Sequence, residues 1–180
     1  MGESFEEYVA RIEGYLGKRR PKDVLRATPG RLARRVGSVS PKVLAAKPAP
    51  RKWSIAQILA HLADTELFWA YRVRSILASN GVALIGVDQD RWAKAGRYER
   101  ADPEVSLETF RAIRAANLGL LRRLPASALA RYGAHSQFGK LSISRILRLM
   151  AGHDLNHAAQ IASALRPPRK RVVSARPSSP

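Results

Sequence analysis

Residues 54–78 read SIAQILAHLADTELFWAYRVRSILA and are followed by Asn80-Gly81. Ser54 and Gln57 have the spacing of a capping box, in which side chains satisfy backbone N–H groups at the start of a helix. Apolar residues then recur every three or four positions, the period of a helix with one face in a core, and Asn-Gly is a typical stop. The stretch therefore predicts a long amphipathic helix with His61 on its apolar face.

A second long helix is predicted near the C-terminal end. Ser142 is its expected N-cap, its inward face includes His153, His157 and Gln160, and it ends before Pro167. Residues four apart lie on one face of a helix, so both imidazoles can be aimed at one point. With His61 as a third nitrogen ligand they predict a metal site that keeps an open position, which suits chemistry or ligand binding.

Two further periodic segments complete a pattern of four long helices. They cover residues 5–16 and 106–124. Between the first and second helices, proline follows Thr28 and Ser40, which predicts two N-caps that open short connecting helices. No run of alternating residues indicates a strand. The predicted fold class is therefore all-α, a four-helix bundle with short connecting helices, and such bundles build metal sites between facing helices.

Composition narrows the class of protein. A chain of 180 residues predicts one domain, 1–166, followed by a basic tail, 167–180, which we expect to be disordered because it is rich in proline and has no acidic residue. The absence of cysteine excludes disulfides, thiolate ligands and a cysteine nucleophile. The start does not resemble a signal peptide and no apolar run reaches membrane-spanning length, so we expect a cytoplasmic protein without membrane contact.

The net charge of +18 is not by itself a sign of nucleic-acid binding. Basic residues are spread along the chain, mostly as arginine, and neither a binding motif nor a row of aromatic residues accompanies them. Only the tail concentrates basic residues, and it offers a contact for a polyanion. Nucleic acid is therefore not the expected partner.

The spacing of the two C-terminal histidines also resembles the H-E-x-x-H motif of zinc proteases. Asp154 replaces the glutamate of that motif, and no His, Asp or Glu follows His157 to act as a downstream ligand. Two histidines can also share an apolar face as ordinary core residues. Neither alternative explains why His61 lies on the inward face of another helix.

The roles of the other polar residues near the histidines are less certain from the sequence, and two roles remain open for Gln160 and for Asp64. Gln160 either contacts a ligand or is a buried amide paired within the bundle. Asp64 either accepts a hydrogen bond from a metal-binding histidine or is solvated. Glu66 and Arg72 are expected to pair with each other or across helices in a structural role. His135 is expected in a loop at the mouth of the site rather than as a ligand.

Several motifs occur in the order found in the DinB/YfiT-like superfamily. Trp53-Ser54, residues 61–66 (HLADTE) and Tyr71-Arg72 resemble the second helix of that family. Residues 153–161, HDLNHAAQI, are similar to its closing H-x-x-x-H-x-x-Q-I element. Segments 87–92 and 135–139 also match its pattern, so that the resemblance extends from residue 20 to residue 165.

The resemblance implies a four-helix bundle in which His61, His153 and His157 bind a divalent metal, zinc or nickel. Family members of known activity include S-transferases and isomerases that use a low-molecular-weight thiol. We therefore expect a homodimeric metal-dependent enzyme for a small-molecule substrate, of the thiol-dependent S-transferase or hydrolase type. Gln160 would contact the substrate or orient a metal-bound group. The alternative is a non-catalytic metal-binding or stress-response protein that uses its basic tail on a polyanion.

Overall fold

The computed structural model describes residues 3–166, so the basic tail lies outside the described residues. Within this range the chain forms helices α1 (Phe5–Leu16), α2 (Pro21–Val36), α3 (Pro41–Ala45), α4 (Ile55–Ala78), α5 (Gln89–Ala95), α6 (Pro103–Arg122) and α7 (Ile143–Ala164). Three short strands, β1 (Ala83–Leu84), β2 (Tyr132–His135) and β3 (Gly139–Ser142), and two 3₁₀ turns, Tyr98–Arg100 and Ala126–Ala130, lie in the connections.

Four of these helices, α2, α4, α6 and α7, pack on one another as a bundle, which confirms the predicted fold class. The four helices that form the bundle are not the four long helices that the sequence predicts. Residues 21–36 were expected to contain a short connecting helix, but they form a full bundle helix. Residues 5–16 form the expected helix, but it is an additional one that packs against α7.

The prediction that Thr28 is an N-cap was wrong, because α2 continues through Thr28 and Pro29. A proline ring has no N–H, so Pro29 leaves the carbonyl oxygen of Leu25 without its helical donor. Nη1 of Arg114, in α6, donates to that oxygen at 2.9 Å. The helix therefore continues through a proline because a side chain from a neighbouring helix replaces the missing donor.

Helix starts mostly follow local sequence chemistry. Ser54 and Gln57 form the predicted reciprocal capping box of α4. Helix α6 begins earlier than the predicted Ser106, because the carboxylate of Asp102 accepts two backbone N–H groups and Pro103 occupies the first turn. Proline suits that position, since its N–H would have no helical acceptor there.

The three short strands differ from the expectation of a chain without strands. β1 pairs with β2 in parallel, and β2 pairs with β3 in antiparallel fashion. Strands of two and four residues contain no alternation long enough to recognise in a sequence. Their effect on the site is local, because β2 ends at His135 and holds that residue next to α4.

The core of residues 3–166 has two large apolar clusters and one small one, and the C-terminal histidines lie between the two large clusters along α7. One cluster includes Met150 and the other includes Ile161. His153 and His157 lie between these positions and are buried. None of the helices in residues 3–166 is both long and apolar enough to cross a membrane.

Candidate metal centre

Three histidine side chains converge where α4 packs against α7. His61 is in α4, and His153 and His157 are one turn apart in α7. Nε2 of His153 lies 3.0 Å from Nε2 of His61 and 3.1 Å from Nε2 of His157. One ligand nitrogen from each ring lies within 4.8 Å of the others. Nitrogens bound at about 2.0–2.1 Å to one tetrahedral ion would be separated by about 3.3 Å, so a small adjustment of the rings is enough to form such a site.

Burial keeps all three imidazoles neutral at pH 7. Burial and the neighbouring His157 lower the pKa of His61 to about 3. Burial also lowers the pKa of His157 to about 4, although its contact with Gln160 acts in the opposite direction. The pKa of His153 falls well below its ordinary value because of burial and the two neighbouring imidazoles. The neutral ring is the form that donates a lone pair to a metal ion.

The hydrogen bonds of the cluster are incomplete without a cation. Nδ1 of His157 lies 3.0 Å from Oε1 of Gln160, so it is the protonated nitrogen and Nε2 is left with a lone pair. Nε2 of His153 then faces this lone pair and Nε2 of His61. A single proton on Nε2 cannot serve both contacts as linear hydrogen bonds. A cation that accepts three lone pairs satisfies all three nitrogens, so the residues fit a divalent metal.

Neighbouring side chains hold the ligand rings in place. The ring of Trp53 packs against that of His61 with centroids 4.8 Å apart, and Oγ1 of Thr65 lies 3.4 Å from Nε2 of His61. Gln160 was predicted on the inward face, but it is exposed and reaches His157 from the edge of the bundle. The structure therefore gives it the geometry of a residue that orients a ligand ring.

Asp64 does not contact the histidines. Its Oδ2 accepts a hydrogen bond of 2.6 Å from the hydroxyl of Tyr98, which is buried in the connection between α5 and α6. This hydrogen bond to a phenol differs from both roles considered for Asp64, a contact with a histidine and a solvated position. It attaches the long connection to α4 on the side of the histidine cluster.

Glu66 pairs across helices rather than with Arg72. Nη2 of Arg114 lies 2.8 Å from Glu66, and the same guanidinium makes two hydrogen bonds to Asp154, of 2.7 Å and 3.1 Å. Asn117 donates a further hydrogen bond to Glu66. Burial alone would lower the pKa of Arg114, but the two carboxylates raise it above its ordinary value. This buried network connects α4, α6 and α7 next to His153.

Two cavities meet the histidine cluster from different directions. One has a volume of about 280 Å³ and is bordered by His61 and His153, with walls that are largely aromatic: Phe5, Tyr8, Phe68, Trp69 and Phe138. The other has a volume of about 490 Å³ and is bordered by His157 and Gln160. Its charged lining consists of three basic side chains, Arg11, Arg51 and Lys52, and two acidic ones, Glu3 and Asp90. We refer to them as the aromatic cavity and the basic cavity.

His135 is outside the three-histidine group, but it ends strand β2 instead of lying in the expected loop. It is buried at the end of β2 and lines the aromatic cavity together with Arg72. Sequence reasoning assigned Arg72 a purely structural role and missed its position in the cavity wall. The available signal was its place on the same helical stripe as His61, Thr65 and Phe68.

Comparisons with known proteins agree on one family. A family model described as "DinB superfamily" matches residues 25–161. "Putative metal-dependent hydrolase OB0413" of Oceanobacillus iheyensis is 24% identical over 163 residues, which cover 91% of this chain and 86% of the relative. "Putative metal-dependent hydrolase OB0782" of the same organism is 27% identical over 111 residues, 62% of this chain. The match spans 64% of that relative, less than two thirds of its length.

A solved structure is similar over most of the chain. It is described as "YfiT from Bacillus subtilis is a probable metal-dependent hydrolase with an unusual four-helix bundle topology". The TM-score is 0.74 at 23% sequence identity, and the match covers 80% of this chain and 83% of the other. At this identity the similarity shows the fold alone.

Proposed function

This chain belongs to the DinB superfamily, and on that premise we propose that it is a metal-dependent hydrolase of small molecules with a divalent ion on His61, His153 and His157. The observation that carries the proposal is the convergence of three neutral Nε2 atoms at the border of the aromatic cavity. The names of the relatives support the reaction class.

The chemistry follows from the ligand set. A zinc or nickel ion held by three nitrogens keeps an open position and lowers the pKa of a water bound there. The chain supplies neutral rings, and Gln160 selects the tautomer of His157 that presents Nε2. Trp53 and the apolar clusters shield His61 from bulk water. The described residues that line the aromatic cavity include no Asp or Glu and are mostly apolar, with the cationic Arg72 among them.

The test combines metal analysis with a reaction screen. The full-length protein is freed of metal with a chelator, reloaded with zinc or nickel, and assayed against small esters, amides and phosphoesters. We expect metal-dependent hydrolysis that is lost together with bound metal in His153→Ala. Arg148→Ala, an exposed change on the same helix, is the matched control. Binding of about one metal ion without any hydrolysis would contradict the hydrolase, and absence of metal binding would contradict the site.

A thiol-dependent S-transferase is the second candidate, and one observation favours it. Two cavities of different chemistry border the same histidine cluster, as a reaction between two substrates requires. The basic cavity suits a hydrophilic, charged cosubstrate, because its lining has three basic and two acidic side chains, with Arg11 paired to Glu3. The chain has no thiol of its own. Product analysis with and without an added low-molecular-weight thiol separates transfer from hydrolysis.

The non-catalytic alternative depends on the basic tail, which lies outside the described residues. If the protein acts on a polyanion, a variant that ends at residue 166 should lose retention on heparin, while its metal content stays the same. A homodimer remains our proposal for the assembly. Light scattering of the purified full-length chain measures its mass directly.

A further inference from the structure

Arg72 is a buried cation without a carboxylate partner. Its side chain is 3% exposed, and burial lowers its pKa to about 10. Among residues 3–166 no Asp or Glu lies within salt-bridge distance of it, and the remaining residues include neither amino acid. A buried charge without a counter-ion loses hydration that neutral neighbouring groups replace only in part. Arg114, which is also buried, has two carboxylate partners.

The hydrogen-bond donors of Arg72 outnumber the acceptors around them. Its Nη2 donates to the carbonyl oxygen of Ile85 at 2.6 Å and also lies 2.9 Å from Nε2 of His135. Its Nε is buried and has no partner. Nδ1 of His135 accepts the backbone N–H groups of Gln137 and Phe138, so the proton of the neutral ring is on Nε2. Donors of Arg72 and His135 therefore face each other.

An anionic oxygen is the group that would satisfy these donors. Burial and the nearby Arg72 lower the pKa of His135, so the imidazole stays neutral and the pair has a single positive charge. One guanidinium matches the charge and the planar geometry of a carboxylate, which it binds through two parallel hydrogen bonds. The Arg72 guanidinium also lies over the ring of Phe68, 3.9 Å from its centroid, which limits its movement.

The same cavity connects this pair to the histidine cluster. Arg72, His135, His61 and His153 all line the aromatic cavity, whose other walls are mostly aromatic and aliphatic. His61 and Arg72 are both in α4, and the helical rise separates their Cα atoms by about 16 Å. A ligand with an anionic end at Arg72 and an apolar body would therefore extend toward the three histidines.

We propose that Arg72, with His135, anchors the carboxylate of a small apolar carboxylic acid in the aromatic cavity, and that the substrates of the protein belong to this class. The proposed binding of a carboxylate follows from the geometry of the cavity alone. Only its identification as the substrate site rests on the proposed function.

The test compares 3-phenylpropionate with its uncharged amide, 3-phenylpropanamide, by isothermal titration of the full-length chain. Chelator-treated protein is used first, so that a carboxylate–metal contact cannot contribute. We expect the acid to bind about tenfold more tightly than the amide, because a charge-assisted hydrogen bond contributes about that factor. Arg72→Met should remove this preference and leave the affinity for the amide within about twofold. Arg111→Met, an exposed arginine in an ion pair, should retain the preference.

Circular dichroism and metal content establish that Arg72→Met is folded and still binds zinc. If Arg72→Met does not fold, Arg72→Lys replaces it, and a reduced preference for the acid is expected because lysine cannot form the paired hydrogen bonds. The proposal is overturned if the wild-type chain does not bind the acid at millimolar concentration, binds acid and amide equally, or keeps its preference without Arg72. None of these outcomes depends on hydrolysis, so failure of the proposed reaction is a separate result.

Discussion

The backbone of Gly152 in α7 lies directly against the carbonyl oxygen of Ile12 in α1. A Cβ at residue 152 would overlap that oxygen, so the two helices come this close only because the residue has no side chain. The contact immediately precedes His153, and Tyr8 and Ile12 of α1 line the aromatic cavity. The close approach therefore positions one wall of the site.

Gly152→Ala is expected to reduce the free energy of unfolding by about 1–3 kcal/mol, because α1 must move away from α7. Urea denaturation monitored by circular dichroism measures the change. Gly14→Ala is the matched control, since Gly14 is exposed in α1 and a Cβ there meets no atom within 4 Å. That substitution should be neutral or stabilise the chain by up to about 1 kcal/mol. Equal stability of Gly152→Ala and the wild type would show that the contact is not tight.

Gln160→Ala is expected to weaken zinc affinity by about 10–100-fold, because the His157 ring loses the acceptor that selects its tautomer. His157→Ala should abolish stoichiometric binding, since it removes a ligand. Gln160→Glu keeps an acceptor oxygen and should retain affinity. Competition titration against a chromophoric chelator measures all three. Unchanged affinity in Gln160→Ala would mean that this hydrogen bond does not support the metal site.

Acid should destabilise the metal-free protein through its buried histidines. An unfolded histidine has a pKa near 6.5, whereas the folded values are about 3 for His61 and about 4 for His157. Between these values the unfolded state binds more protons, so the free energy of unfolding falls as the pH falls from about 6.5. Above pH 7 these groups contribute no pH dependence.

The slope should be up to about 1.4 kcal/mol per pH unit for each such histidine. His61→Gln should reduce it by about one such contribution, and Arg148→Ala should leave it unchanged. Urea denaturation at a series of pH values between 4.5 and 7.5 measures the free energy of unfolding across the range in which the change is expected. A wild-type stability independent of pH over this range would contradict neutral, buried histidines.

Arg114→Met is expected to cost about 3–5 kcal/mol of stability, because it leaves Glu66 and Asp154 buried without their cation. It also removes the donor to the Leu25 carbonyl. Adding Glu66→Gln and Asp154→Asn should recover part of the loss. Arg111→Met, which breaks an exposed ion pair on the same helix, should change stability by less than about 1 kcal/mol. A similar small effect of Arg114→Met would show that the network is not stabilising.

The parts of the site that depend only on residues close together in the sequence could be predicted. The capping box of Ser54 and Gln57 and the one-turn spacing of His153 and His157 are local, because helix geometry fixes the relation between residues three or four apart. The inward position of His61 follows from the same period. That these histidines bind a metal stays a prediction.

Other features were missed for identifiable reasons. Thr28-Pro29 has the local pattern of a helix start, and only the distant Arg114 makes continuation of α2 favourable. Gln160 lies on the border between the inward and outward faces, where a period cannot decide exposure. The strand pairing that holds His135 joins segments far apart in the chain.

By itself the sequence determined the long helices α1, α4, α6 and α7, the N-caps Ser54 and Ser142, and the faces on which the histidines lie, because these depend on backbone geometry within a few residues. Only the tertiary structure decided which faces meet. His61 and His153 are 92 positions apart, and their nitrogens come within 3.0 Å because of where α4 crosses α7. The same holds for Arg72 beside His135, since burial without a counter-ion is a property of the assembled packing and not of any local pattern.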